Sequence, residues 1–284
     1  MITRFDHAVI AAADLDAARR LYADALGFAV YPGGRHTGLG TENAIVRFGL
    51  DYLELIGIYD RAEVAAAGIK RASLLDFLAT RDGGMLGYCL ATDDIAALAH
   101  RFARRGLEAL GPYAMERMRP DGVLLRWQLL VPGGTAWRRP WPFFIQWEMD
   151  DASRLQIERT AAHPNGVQRV AGVSLVVHDL EAAHHLYGEQ IGLAAAVGHN
   201  ALGQTVHYAV GDFTIALLTA ADDGGARTFL EAHGEGLYQV IVGASDLEAV
   251  ATLWAAGGVL AEAETPVRTA PSQTLGAQLV VVPV

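Results

Sequence analysis

The feature that most constrains this chain is a phrase it writes twice. Arg4 to Phe28 reads RFDHAVIAAADLDAARRLYADALGF, and from Arg169 the chain reads RVAGVSLVVHDLEAAHHLYGEQIGL. Asp179-Leu180, Ala182-Ala183, Leu186-Tyr187 and Gly192 recur at an offset of 165 residues from Asp14-Leu15, Ala17-Ala18, Leu21-Tyr22 and Gly27. A self-similarity of that length predicts two copies of one folding plan. Within the phrase, His7-Ala-Val-Ile suits a strand and Asp14 suits a helix N-cap, where its carboxylate accepts from free backbone amides. Leu15, Ala18, Leu21, Tyr22, Ala25 and Leu26 share one helical face, and Gly27 stands where a left-handed residue closes the helix.

At 284 residues the chain has room for two domains, and 52% apolar with 19% charged residues is a composition that buries a core. A net charge of −10 argues against nucleic acid or an anionic membrane as partner, because both reward a basic face. A single cysteine, Cys89, excludes an internal disulfide and suits a reducing compartment. MITRFDH leads directly into the first strand, and no apolar run has bilayer length. The expectation is a cytoplasmic protein.

Further along, Phe28 to Tyr31 reads as a short strand before the glycine-rich PGGRHTGLGTEN. NAIVRFG and YLELIGI read as two strands joined by a turn at Gly49–Asp51. Arg61 to Thr80 reads as a helical connector. A weaker copy follows, with LGYCLA as a strand, a helix from Asp94 closed by Gly106, a Pro120-Asp121-Gly122 turn, VLLRWQLLV and FFIQW. The polar stretch to Gly166 predicts a first domain over 1–150, a linker over 151–166 and a second domain over 167–284. In that second half Gly172–Val177, a helix from Asp179, Val206–Val210 and Thr214–Leu218 form a third unit. Leu237–Val242, a helix from Asp246 and a strand within Gln278–Val282 form a fourth.

Strand–helix–three-strand units taken two per domain resemble the vicinal oxygen chelate superfamily of glyoxalases, extradiol dioxygenases and bleomycin-resistance proteins. DHAVIAAADLDAA, GGRHTGLGTENAIVRFGLDYLELI, RPDGVLLRW and PFFIQW resemble the glyoxalase-like domain family in particular. The resemblance implies an α+β fold of four βαβββ modules paired into two domains, with curved mixed sheets and helices on the outer face. It also implies a trough in which a divalent metal takes ligands from the first and last strands of each unit, for lyase, isomerase or dioxygenase chemistry. Such a fold specifies a cavity and not a reaction.

Counting from the cap aspartate places His7 at the first-strand ligand position of the first unit and Glu54 at its last-strand position. An imidazole and a carboxylate suit a first-row divalent ion. With Leu53 and Leu55 on one face of the strand, Glu54 points to the other, and a buried carboxylate needs an answer. The blander reading of the pair is an ordinary buried hydrogen bond. The second unit has Gly87 where the next ligand belongs, and its last strand offers Gln146, with Glu148 two residues on. The expected cofactor is therefore a weakly held Zn, Ni, Mn or Fe ion, or none. His36 and Asn43 flank the glycine-rich loop as candidate ligand contacts. Arg126, alternating with Trp127, suits a carboxylate, or else is an arginine in water on an edge strand. Tyr52, Cys89 and Phe144 are candidate apolar walls, and Cys89 has no evident base to activate it.

In the second half Gly172, Ala216 and Gln239 replace the ligand positions. His178, His184, His185, His199 and His207 read as solvated side chains, so that half is expected to be structural and to contribute interface, to the first half or within a homodimer. Two functions follow. One is an enzyme acting on a small oxygenated metabolite through His7 and Glu54, with a metal or with Glu54 as base. The other is a metal-free small-molecule binder of the bleomycin-resistance type.

Overall fold

The computed structural model describes residues 1–68, 72–134, 137–200, 203–220, 224–261 and 266–284, without the side chains at 72, 196–200 and 203–204. The first unit comprises β1 (Ile2–Ala12), α1 (Leu15–Arg20), β2 (Val30–His36), β3 (Thr41–Arg47) and β4 (Tyr52–Ile58). Two helices, α2 (Arg61–Ala66) and α3 (Ala72–Leu78), connect it to the second unit. That unit is β5 (Gly83–Thr92), α4 (Ile95–Arg104), β6 (Ala109–Met118), β7 (Leu124–Pro132) and β8 (Phe143–Trp147). The local signals act as their chemistry dictates. Asp14 and Asp94 each accept from the amide three residues on, at 2.8 Å. Past α1 the helix widens into one π turn, Leu21–Ala25, and Gly27 follows at φ +71°.

These eight strands close into a barrel in the order β1-β4-β3-β2-β6-β7-β8-β5. The first and last strands of each unit pair in parallel, β1 with β4 and β5 with β8, and every other pairing is antiparallel, including β1 with β5 and β2 with β6 where the units meet. Closure removes every free edge and leaves an interior.

The stretch expected as a linker holds a helix, α5 (Asp151–Ile157), which docks on the barrel. Its Arg154 is fully buried, with the guanidinium 3.8 Å from the centroid of the Trp147 ring and near Asp6 and Glu158. A fully buried arginine ties this segment into the first half, contrary to its polar composition.

The second half has β9 (Val167–Val176), α6 (Leu180–His185), β10 (Ala195–Asn200), β11 (Gly203–Val210) and β12 (Phe213–Leu218). After α7 (Gly225–His233) come β13 (Gly236–Ala244), α8 (Leu247–Ala256) and β14 (Leu279–Pro283). The π turn recurs at Leu186–Ile191 and the cap hydrogen bonds at Asp179 and Asp246. The sheet is open, with six strands ordered β10-β11-β12-β9-β13-β14. Among the described residues the fourth unit departs from the expected four-strand plan. Between α8 and β14 only isolated bridges form, Leu260 with Thr269 and Arg268 with Val280. Pro266 and Pro271 fall in that stretch, and proline has no amide to give a ladder.

One continuous apolar core joins the two halves. It includes outward residues of the barrel such as Ile10, Leu53, Leu90 and Phe144, and inward residues of the second sheet such as Val173, Leu217 and Val240. Phe5 stacks on Phe213 with ring centroids 4.2 Å apart, and the Tyr88 and Tyr187 hydroxyls hydrogen-bond at 2.5 Å. Among the described residues no helix is long and apolar enough to cross a membrane.

Candidate functional site

The site lies inside the barrel, where strand alternation collects one layer of side chains from successive strands. On β1, His7, Val9 and Ala11 face inward, while Ala8, Ile10 and Ala12 join the outer core. A bulge between Phe5 and His7 makes Asp6 an extra residue, and bulges re-aim side chains. Asp6 is fully buried and meets His7 Nδ1 at 2.8 Å, Trp147 Nε1 at 2.9 Å and an Arg4 guanidinium nitrogen at 2.9 Å. Burial would raise its pKa, but the His7 hydrogen bond with Arg4 and Arg154 holds it far below the carboxylate range. An ionised Asp6 accepts only, so His7 donates through Nδ1 and turns Nε2 to the cavity.

Glu54, on β4, is the centre of the layer. Its Oε2 lies 3.6 Å from His7 Nε2, its Oε1 lies 3.6 Å from His36 Nε2, and Asn43 Nδ2 donates to Oε1 at 2.5 Å. The carboxylate thus bridges two imidazoles. His36 Nδ1 is held on its far side by the Thr41 hydroxyl at 3.0 Å and carbonyl at 3.2 Å. Burial would raise the Glu54 pKa, but His7, His36, the Asn43 amide and Arg117 outweigh burial and hold it below 4.5. At neutral pH Glu54 is therefore an anion. The two 3.6 Å gaps are charge contacts longer than a hydrogen bond.

Around this group the cavity, of about 40 Å³, is lined by Val9, Tyr52, Ile56, Arg117, Trp127, Leu129, Trp137, Phe143, Ile145 and Trp147. Tyr52 stacks on the His7 ring at 4.7 Å and carries the Arg47 guanidinium on its face. The residues singled out in the sequence divide by strand parity. His7, His36, Asn43, Tyr52 and Glu54 converge here. Cys89 faces the interior beside His7 but does not line the cavity, and burial, with Asp6 and Glu54 nearby, pushes its thiol pKa well up. Phe144 alternates outward into the shared core. Gln146 is spent on α4, accepting from Ile95 N at 2.8 Å and donating to the Asp93 carbonyl. Arg126 pairs with Glu116 at 3.4 Å on the outside of the barrel, where Glu148 is also exposed. Arg117 was missed in the sequence, although it stands opposite Leu125 across the hairpin and so shares the inner face with Leu125 and Trp127.

In the second half no comparable group forms among the described residues. His178 and His185 are exposed, His184 meets the Tyr208 hydroxyl at 2.6 Å, and His207 meets Thr205 Oγ1 at 3.1 Å. The His199 side chain lies outside the described residues. Val9 pairs with Glu54 as Ser174 pairs with Ala216, so the position of Glu54 is held there by alanine.

A family model described as a glyoxalase-like domain matches residues 5–191. The chain belongs to the glyoxalase-like domain family. A search of curated proteins finds no match. Among solved structures, a hypothetical protein from Staphylococcus aureus is 19% identical with a TM-score of 0.73, each chain covering 100% of the other. A mutant 4-hydroxymandelate synthase from Streptomyces coelicolor is 14% identical with a TM-score of 0.62, over 98% of this chain and 92% of that one. A xylose isomerase-like TIM barrel/4-hydroxyphenylpyruvate dioxygenase fusion protein is 13% identical with a TM-score of 0.59, over 100% of this chain and 49% of that one. At these identities the three likenesses establish the shared fold alone.

The family resemblance implies a divalent metal, and the barrel's own symmetry tests the fit. His7 pairs with Cys89 and Val9 with Gly87, so the two units exchange about this seam and Gly87 is the counterpart of His7. Val9 pairs with Glu54 just as Cys89 pairs with Phe143, so the counterpart of Glu54 is Phe143 and not Gln146. The second unit thus contributes a glycine and a phenylalanine where two ligands belong. His36 adds an imidazole, but on the opposite oxygen of Glu54, and among the described residues no three His, Cys, Asp or Glu are grouped to hold an ion. These donors do not fit a metal centre with ligands from the first and last strands of each unit, the arrangement that the resemblance implies.

Proposed function

We propose that this glyoxalase-like protein binds a small oxygenated metabolite in the barrel of its first half and moves a proton on it, with His7 as the proton carrier. The observation that supports this reading is the buried line Asp6–His7–Glu54–His36 in a cavity whose other walls are mostly apolar and aromatic, with Arg117 among them. Asp6 orients the ring, and Nε2 is the nitrogen left facing the ligand space. A proton taken there makes an imidazolium between two carboxylates, which stabilise it. Glu54 is the weaker base, because the neighbours that keep it ionised also lower its proton affinity. This differs from the metal-free alternative expected from the sequence, in which Glu54 is the base. Proton transfer at carbon beside a carbonyl, as in isomerase or lyase chemistry, needs this much and no more. A cytoplasmic setting, reducing enough for the free Cys89, belongs to the same proposal.

The test is proton–deuterium exchange by NMR, with small 2-hydroxy and 2-oxo acids offered to the protein in D2O. The expected result is exchange at the carbon beside the carbonyl for at least one acid, reduced about 100-fold or more in His7→Gln. The Asn43 hydrogen bond, which occupies one Glu54 oxygen, favours a second reading, binding without turnover. Saturable binding of an acid with no exchange under any condition would select that reading.

A further inference from the structure

Among the described residues Arg117 is a buried cation with no salt-bridge partner. Only 2% of it is exposed, and its Nε has no hydrogen-bond partner. The other buried arginines of this region are answered. Arg47 meets Glu158 at 3.2 Å, Arg119 meets Asp121 at 2.6 Å, and Arg154 lies between Glu158 and Asp6. Among the described residues no carboxylate forms a salt bridge with Arg117. Its nearest relation to an anion is the longer-range field it adds to Glu54, which two imidazoles and an amide already satisfy. A buried guanidinium without a partner is costly, and a site built to receive an anion is one place where such a cost is retained.

Its position fits that role. Arg117 lines the cavity with His7, His36 and Glu54, and on the other side borders a groove whose arginines, Arg47, Arg119 and Arg159, share it with Glu158 and Asp121. In the β2–β6 seam it is the register partner of His36, so both side chains enter the barrel side by side. Three of the five tryptophans, Trp127, Trp137 and Trp147, wall the same cavity. A ligand that satisfies this interior has a compact apolar or oxygenated body among the indoles and one negative group for the guanidinium. A carboxylate matches the fork by two parallel hydrogen bonds.

We propose that Arg117 anchors the carboxylate of the ligand, and that the substrate class is small monocarboxylic acids. This rests on the proposed barrel site and names its ligand class. It places the carboxylate at the β2–β6 seam and the rest of the molecule toward His7.

Tryptophan fluorescence of the whole protein, in chloride-free buffer, reads binding directly. The probes are lactate and pyruvate, their neutral counterpart lactamide, and inorganic phosphate. The expected result is saturable quenching by a carboxylate, with lactamide and phosphate at least tenfold weaker. Arg117→Met, which keeps the stem and removes the charge, is expected to weaken carboxylate binding at least tenfold. Arg117→Lys should recover part of it. Circular dichroism and melting temperature establish folding, and Arg117→Met without ligand is expected to stay folded, since Glu54 keeps His7, His36 and Asn43 when it loses the field of Arg117. Equal binding of lactamide, tighter binding of phosphate, unchanged affinity in Arg117→Met, or no saturable response to either acid would each overturn the proposal. Arg117-dependent binding without proton exchange would sink the His7 chemistry and leave the anchor standing. Exchange on ligands indifferent to Arg117 would do the reverse.

Discussion

His36 on β2 and Arg117 on β6 are register partners at the seam that closes the barrel between its two units. The neighbours have opposite circumstances. His36 is held by Thr41 on one side and meets Glu54 on the other, whereas the guanidinium beside it has no carboxylate of its own. Among the described residues the cavity therefore contains one anion, Glu54, faced by four nitrogen groups, His7, His36, the Asn43 amide and Arg117. Its balance invites a second negative charge from outside, and that asymmetry underlies the predictions on Glu54 and Asp6.

Glu54→Gln removes the one carboxylate that faces the cavity among the described residues while keeping its shape. At pH 7 we expect a loss of about 3 kcal/mol in denaturant unfolding, the scale for orphaning buried charge partners. The pH dependence has a definite sign. The folded pKa is depressed, so the stabilisation by Glu54 is fully present above pH 4.5, its ordinary value, and is lost as pH falls through the folded value. Melting temperature measured from pH 7 to pH 3 should drop less steeply in the variant than in the wild type. Parallel acid limbs would show that Glu54 is not held as an anion.

Asp6→Asn tests the orienting end of the line. Its carboxylate takes contacts from His7, Arg4 and Trp147 with no exposure to water. An amide keeps the size but loses the charge, leaving Arg4 with Asp151 alone, Arg154 with Glu158 alone and His7 free to change tautomer. The expected cost is about 3–5 kcal/mol in urea unfolding. A double-mutant cycle with Arg154→Met should return a coupling of at least about 1 kcal/mol between the two sites. Additive effects would mean that the 3.7 Å approach of Arg154 carries no energy.

Much of this was legible in the sequence wherever the signal is local. The aspartate caps of α1, α4, α6 and α8 follow from residues three apart, and His7 and Glu54 follow from strand parity around a cap count. What failed needed register across distant strands. Gln146 was placed at the last-strand ligand position because the start of β8 has no marker, whereas the β5–β8 pairing puts Phe143 there. Arg117 carries no local signal of its own, because its inward direction is set by a hairpin partner and a seam 81 positions away in sequence. The hairpin alone was sufficient to find it. Pro120-Asp121-Gly122 makes Leu125 its partner, and residues directly opposite in an antiparallel pair share a face. Arg154 was hidden in a segment whose polarity read as a linker, since composition does not reveal a salt-bridge network beneath a docked helix.

Cys89 gives a prediction about accessibility. Burial pushes its thiol pKa well up, and no base activates it, so a thiol reagent should not label the native protein at pH 8. Labelling in increasing urea should follow the global unfolding curve measured by circular dichroism. Rapid stoichiometric labelling without denaturant would show that the barrel interior opens far below the unfolding transition.

Gly33→Ala tests how the backbone makes room for the site. A Cβ at Gly33 would lie 2.0 Å from Asn43 Oδ1 and 3.0 Å from an Ile45 side-chain carbon, and neither neighbour is at the end of a long flexible chain. Asn43 must then leave Glu54, so the expected cost is about 1–3 kcal/mol from overpacking, with weaker carboxylate quenching of the tryptophans. The relief is specific. Asn43→Ala alone should destabilise by about 1–2 kcal/mol, because Glu54 loses a hydrogen-bond donor. In the double variant Gly33→Ala/Asn43→Ala the two methyl groups no longer meet an amide, and the combined cost should fall below the sum by at least about 1 kcal/mol. Strict additivity in a thermal or urea cycle would mean that Gly33 is not there to accommodate Asn43, and that the short contact to Glu54 is held by something other than the β2–β3 packing.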